Sequence, residues 1–351
     1  MGRLLHIVDT LERGGAETLV LNTVEMINKS FPDFEQYVAV MYRSGELEKQ
    51  LPDNVKLINL NFRLTKLPKA IIQLRDIIKR NNIEVVHSHL IHSTLLARLA
   101  LPKGVKLVTT YHSVFYDPEM VTYAKYELPI DKFTYKEQYF TIYVSDAVRE
   151  NIASKVGIKK NFKVLPNFAS VKFKPSYKLN SQKPLRIVMV GNLHEIKNHE
   201  IAIRALANLM EADITLDIYG DGILRGFLEN LIAETGAKVN LKGKVSMDSG
   251  ILGQYDLFLM TSHHEGMPLS VLEAMQTGLP SILNDIPMLK ETAADSALYY
   301  KYDDLDALVA QIGKVYQNRS ILADLAQKAV VRSRQFSAES YMNQLLEIYR
   351  S

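Results

Sequence analysis

Short apolar strands alternate with helix-length amphipathic segments along almost the whole chain, and the pattern lapses once. From the start, "LLHIVDT" reads as a buried strand, "LERGGAE" as a loop with paired glycines, and "ETLVLNTVEMINK" as a helix with apolar residues at helical spacing. "QYVAVMY", "VKLINLN", "IEVVHSHL", "VKLVTTYHS" and "YFTIYVS" continue as strands. Helices fall in "LPKAIIQLRDIIKR", "STLLARLAL" and "SDAVRENIASKV", the last capped by Ser145 or Asp146. Between about Asn167 and Pro184 the text becomes "NFASVKFKPSYKLNSQKP", with two prolines and no sustained apolar period, and the rhythm then restarts at "LRIVMVGN". Such alternation specifies a parallel sheet wrapped by helices on both faces. The expected fold class is therefore α/β with two Rossmann-like domains facing each other across a cleft. The expected bounds are residues 1–170 for the first domain, 171–183 for a linker and 184–337 for the second domain. Ligands of such sheets bind beyond the carboxyl ends of the strands, so the cleft is the expected site.

Length and composition narrow the class. At 351 residues the chain exceeds one core of common size. It has no cysteine, which excludes disulfides, thiolate catalysis and Cys-based metal sites. No apolar run approaches the roughly 20 residues of a membrane-spanning helix, and Asp9 interrupts any signal-peptide core, so a cytoplasmic location is expected. The net charge of +3 is too mild for a nucleic-acid binder and is concentrated in the first 170 residues. There Arg63, Lys66, Lys69, Arg75, Lys79 and Arg80 surround a basic amphipathic helix, which suits peripheral contact with an anionic membrane at the inner face of the cytoplasmic membrane. A solvated face over a buried Ile/Leu stripe is the plainer reading of the same residues.

The stretch "SHHEGMPLSVLEAMQTGLP" carries the chemistry. On one continuous helix, residues eight apart are turned about 80° from each other, so Glu265 and Glu273 would not share a face. Proline is tolerated in the first helical turn and poorly beyond it, which starts the helix near Pro268, stops it at Gly278 and leaves Glu265 in the loop. Gly266 permits close approach of a ligand, and the free N–H groups at the helix start suit an anion such as phosphate. A diphosphate cradle flanked by two acceptors of hydroxyl hydrogen bonds matches the layout of a sugar nucleotide.

These residues resemble the signature of the group 1 family of retaining glycosyltransferases, which have the GT-B architecture: a Glu, seven residues and a second Glu, followed here by "EAMQTGLP". The resemblance spans nearly the whole chain and includes "GGAET", "TTYHS", "VSDAVRENI", "KVLPNFASVKFKP", "VGNLHEIKN" and "YGDGILRGFLENLI". It implies that the first domain binds a glycan or lipid-linked glycan acceptor and the second a nucleotide-sugar donor, UDP-sugar favoured. It also implies that the last helix, about 338–351, returns to the first domain. By matched position, Glu265 contacts donor-sugar hydroxyls and Glu273 the ribose, while Gly266, Met267, Pro268, Leu269 and Ser270 approach the diphosphate and sugar. Lys197 neutralises the leaving group, Gly14 and Gly15 bring the first domain's loop against it, and His112 lies near the reacting centre. The segment around Val245 holds the base. No metal and no cofactor are required.

Asn192 departs from the family pattern, which usually has Arg five residues before the lysine; Asn donates a hydrogen bond but carries no charge. Either Lys197 suffices with the helix dipole, or Arg225 or Lys244 supplies the missing cation. Phe168 stands where the family often has glycine. His87, His89 and His92 suggest a metal, but without an acidic ligand in the motif, strand-end packing is the simpler reading. Two other functions fit the same text: a non-catalytic sugar-nucleotide-binding partner subunit, for which Asn192 is the foothold, and a GT-B sugar-nucleotide epimerase, which needs no acceptor.

Overall fold

The computed structural model describes residues 2–116, 121–178 and 184–351. Two compact units divide the chain: Met1–Asn167 together with Glu339–Ser351, and Phe168–Ala338.

The first unit contains β1 (Gly2–Thr10), α1 (Gly15–Ser30), β2 (Phe34–Arg43), β3 (Lys56–Asn59), α2 (Leu67–Arg80), β4 (Val85–His89), α3 (Ile91–Ala100), β5 (Lys106–Tyr111), α4 (Val121–Thr134), β6 (Phe140–Tyr143), α5 (Asp146–Val156) and β7 (Phe162–Val164). The strands form one parallel sheet in the order β3-β2-β1-β4-β5-β6-β7. Strands buried on both faces are largely apolar, which accounts for Val38–Met41 and, apart from His6, for Leu4–Val8. Ser145 caps α5 by accepting from Val148 N–H at 3.2 Å, and Gly157 ends that helix at φ 90°. In α2, Ala70, Leu74 and Ile78 are buried four residues apart, while Ile72 faces out.

The second unit contains β8 (Leu185–Val190), α6 (His199–Ala207), β9 (Ile214–Tyr219), α7 (Arg225–Thr235), β10 (Val239–Gly243), α8 (Ser249–Leu252), β11 (Leu257–Met260), α9 (Leu269–Thr277), β12 (Ser281–Asn284), α10 (Pro287–Ala293), β13 (Leu298–Tyr300), α11 (Leu305–Gln317) and α12 (Ser320–Ser333). Its sheet is also parallel, in the order β10-β9-β8-β11-β12-β13. In each unit the chain winds outward from the first strand, then returns to that strand's other side. Consecutive loops therefore part at the carboxyl ends of β1 and β4, and again at those of β8 and β11, leaving a crevice at each switch point.

The final helix, α13 (Ala338–Arg350), packs on the first unit, burying Tyr341, Met342, Leu345, Leu346, Ile348 and Tyr349. Tyr349 OH lies 2.6 Å from His87 Nδ1, and Lys106 Nζ donates to Ile348 O. Residues 168–178, which the patterning divides between the first domain and a linker, are fastened to the second unit. Ser176 N–H and Tyr177 N–H both donate to Thr277 O, Lys174 N–H donates to Ser249 Oγ at 2.6 Å, and Phe173 is fully buried. The rest of the expected linker, residues 179–183, lies outside the described residues.

One buried ion pair fixes α3 to α4. Arg98 donates to the Asp131 carboxylate and carbonyl, and the same carboxylate accepts from Tyr111 OH at 2.8 Å and Tyr116 OH at 2.7 Å. Arg75, read from the sequence as one cation of a surface cluster, donates instead to the last carbonyls of α3, Leu99 O at 2.9 Å and Ala100 O at 3.1 Å. Among the described residues no helix is long and apolar enough to cross a membrane.

Candidate functional site

In the second unit two loops meet at the β8/β11 switch point. The loop after β8 runs through Gly191 and Asn192 to a short 3-10 turn, Glu195–Lys197, and then Asn198, held in the left-handed conformation at φ 46°. The loop after β11 runs from Thr261 to Pro268. They are stitched together by main-chain acceptors: Thr261 Oγ1 lies 2.8 Å from both Lys197 O and Asn198 O, and His263 N–H donates to Ile196 O at 2.9 Å. Asn284, at the end of β12, donates to Ser262 O at 3.0 Å. The stitching brings Lys197 Nζ into direct contact with Glu265 Oε1, with side chains 24% and 10% exposed. The lysine and the carboxylate thus neutralise each other in a partly desolvated place, where charge interactions outweigh those at the surface.

Helix α9 starts at Leu269 with Pro268 as its extended N-cap and ends at Gly278 with φ 80°. Its first-turn N–H groups have no acceptor within the helix, so Leu269 and Ser270 present donors beside Gly266 and Met267. Glu273 lies one turn further in and is partly buried. Burial pushes its carboxyl up to about 8, while Lys172 pulls the other way. The two glutamates therefore differ in kind: Glu265 is paired with a cation, and Glu273 is held toward its neutral form.

Two glycines let the neighbouring loop come close. A Cβ on Gly220, at φ 150°, would sit 1.9 Å from Gly191 O, and one on Gly222 would sit 2.5 Å from Leu193 O. Leu193 N–H donates to Asp221 O at 3.0 Å across the same contact. Arg225, a candidate replacement for the missing family arginine, is held by Asp221 at 2.9 Å and Glu229 at 3.2 Å. Val245 is exposed on the connection from β10 to α8.

In the first unit, Gly14 caps α1 with an extended backbone, and a Cβ there would sit 2.3 Å from Glu17 Oε2. Gly15 opens the helix, and a Cβ on it would meet nothing within 4 Å. Leu90, at the end of β4, holds φ 69°, a strained conformation for a branched residue at a switch point. His112 follows β5 and lies 3.1 Å from His89. The histidine grouping differs from the one suggested by "VVHSH": His92 turns to Asp9 at 3.4 Å and Glu127 at 3.8 Å, and His6 of β1 joins His87 and His89 instead.

Two family profiles match, end to end. "Glycosyltransferase Family 4" covers residues 13–173, and "Glycosyl transferases group 1" covers residues 172–332. The chain belongs to the group 1 glycosyltransferases. Among curated members, it is 26% identical over 290 residues to the capsular polysaccharide biosynthesis glycosyltransferase CapH of Staphylococcus aureus, spanning 78% of this chain and 79% of CapH. It is 27% identical over 272 residues to the UDP-Gal:alpha-D-GlcNAc-diphosphoundecaprenol alpha-1,3-galactosyltransferase of Escherichia coli, spanning 69% and 70%. Among solved structures, Anabaena HepE in complex with UDP and glucose superposes with a TM-score of 0.83 at 17% identity over the full length of both chains. The fold of this group 1 glycosyltransferase is GT-B.

Sequence reasoning did not find Thr261, Asn284 or His6. Thr261 and Asn284 act on main-chain carbonyls, and no spacing rule reports such contacts. His6 offered a weak signal, an ionisable residue inside an otherwise apolar strand.

Proposed function

We propose that the protein is a retaining, metal-independent glycosyltransferase that moves a sugar from a UDP-sugar to a hydroxyl of a glycan or lipid-linked glycan in cell-envelope polysaccharide synthesis. The observation that carries this reading is the meeting of Lys197 and Glu265 beside the start of α9. In the proposed reaction the bond from the sugar's anomeric carbon to the diphosphate breaks, and the acceptor oxygen bonds to that carbon from the same face. The acceptor's proton passes to the departing phosphate. Negative charge grows on the diphosphate, where Lys197 and the N–H groups of Leu269 and Ser270 stabilise it without a metal or cofactor. Glu265 takes sugar hydroxyls, Glu273 the ribose, and the segment around Val245 the base, with Asn192 donating a neutral hydrogen bond. Gly266, Met267 and Pro268 leave room for the diphosphate. Gly14, Gly15 and His112 of the first unit are assigned to the donor's diphosphate and sugar, and the rest of that unit to the acceptor.

UDP is favoured because it is the nucleotide bound in HepE and the carrier named for the Escherichia coli enzyme, whose acceptor is a diphosphoundecaprenol-linked sugar. Incubation with a panel of nucleotide sugars tests the reading: one donor should raise the melting temperature and be slowly hydrolysed to the retained anomer. Stabilisation by none, or release of the inverted anomer, would overturn it.

Peripheral membrane contact through α2 belongs to the same proposal, supported by the exposed Arg63, Lys66, Lys69 and Lys79 beside exposed Leu64 and Ile72. Flotation with anionic vesicles should be lost when those four cations are neutralised. Arg75 is left in place because it caps α3.

A further inference from the structure

The register of the first sheet sets His6 on β1 beside His87 on β4, and His89 beside Thr110 on β5, with His112 just beyond. Residues two apart on a strand face the same way, so His87 and His89 share one side of the sheet. Three of the four rings are linked end to end. His6 Nδ1 lies 3.2 Å from His89 Nε2, and His89 Nδ1 lies 3.1 Å from His112 Nε2. The ring of His87 lies 4.0 Å from that of His89 but takes other hydrogen-bond partners, its Nδ1 against Tyr349 OH at 2.6 Å and its Nε2 against Thr110 Oγ1 at 2.7 Å. The two ends, His6 Nε2 and His112 Nδ1, are buried and meet no partner among the described residues.

Proton counting restricts the arrangement. Burial holds His6 and His112 near 3, and burial with neighbouring histidines holds His89 well below its ordinary value, so all three rings are neutral at physiological pH. A neutral imidazole has one N–H and one bare nitrogen. Two ring-to-ring hydrogen bonds use two donors and two acceptors, leaving one donor and one acceptor at opposite ends. Only two arrangements satisfy this: every proton on Nδ1, which makes His112 Nδ1 a donor, or every proton on Nε2, which makes it an acceptor. Changing from one to the other needs a proton to leave at one end and another to enter at the other.

We propose that His6, His89 and His112 form one hydrogen-bonded chain of common tautomer, in which His89 and His6 are positioning residues that hold the ring of His112 in one tautomer and one orientation for its part at the transferred sugar. The inference rests on the assignment of His112 to the sugar.

Long-range proton–nitrogen correlation spectra of the full-length protein, labelled with nitrogen-15 in its nine histidines, test this at pH 7. His6, His89 and His112 should carry their proton on the same-named nitrogen; any mixture of the two forms overturns the proposal. In His89→Phe, His112 should lose its single tautomer, and transfer should fall roughly tenfold or more in kcat with KM little changed. His89→Gln, whose amide offers one donor and one acceptor at similar spacing, should recover most of that loss, and it carries the test if the phenylalanine variant does not fold. An unchanged His112 tautomer in His89→Phe, or stoichiometric metal in the purified protein, would also overturn it. Transfer at the wild-type rate by His112→Ala, with matched tautomers in the parent, would instead overturn the placement of His112 at the sugar.

Discussion

Lys197 and Glu265 are 68 residues apart in the chain, yet the lysine donates a hydrogen bond to the carboxylate because β8 and β11 are neighbours in the sheet. Loss of one leaves the other's charge in a partly buried place without its partner. Lys197→Ala and Glu265→Gln should each lower the transfer rate by about 10²–10³. Groups in contact act together, so the double variant should lose much less than the product of the two effects. Initial rates with the stabilising donor provide the measurement, and strictly multiplicative losses would show that the pair is not one functional unit.

Glu273 makes the second unit sensitive to pH. Its carboxyl is raised from 4.5 to about 8 in the folded protein, so folding favours the protonated form. That contribution is complete below the unfolded value and is lost as pH rises through the folded one. Between about pH 5.5 and 8 the wild type should therefore lose a few kcal/mol relative to Glu273→Gln. Melting temperatures of the two proteins across that range should converge at the acid end and separate toward pH 8.

If Glu273 accepts hydrogen bonds from ribose hydroxyls, UDP binding draws off its proton. Titration calorimetry at pH 7 in buffers of differing ionisation enthalpy should report release of roughly one proton per UDP. The release should vanish in Glu273→Gln.

Gly220 has no room for a methyl group. A Cβ would fall 1.9 Å from Gly191 O in the loop that carries Lys197. Gly220→Ala should cost about 2–4 kcal/mol through displacement of that loop and backbone strain. Calorimetry should show a melting temperature lower by several degrees, together with weaker UDP binding.

Arg98 and Asp131 form a buried pair whose members depend on each other. Among the described residues, Arg98→Met leaves the Asp131 carboxylate with only the Tyr111 and Tyr116 hydroxyls, and should destabilise the protein by about 3–5 kcal/mol. Urea denaturation provides the measurement.

The alternating rhythm follows from strand composition, so two Rossmann-like domains were legible in the text, and the resemblance carried by Glu265 and Glu273 supplied the GT-B architecture. Pro268 and Gly278 marked the bounds of α9 through backbone chemistry that is local to each residue. Contacts set by strand order were not legible: Lys197 with Glu265, His6 with His89, and Arg98 with Asp131 each require knowing which strands or helices are neighbours. Residues 171–178 look like part of a linker because polar residues and a proline interrupt their apolar ones without a sustained period. Their attachment is made largely by main-chain N–H groups to Thr277 O, which composition does not report. Arg75 misleads for a related reason, since a cation counted as surface charge is used to end a helix.

The return of α13 to the first unit has a consequence for synthesis. A chain emerging from the ribosome has all seven strands of its first sheet long before the helix that covers His87 and Lys106 exists. Domains generally fold as units, N-terminal first, yet here the second unit is complete before the first can be. The face that receives Tyr349 and Ile348 must wait uncovered through that interval. A stop codon just before residue 338 would leave the second unit nearly intact and damage the one that was made first.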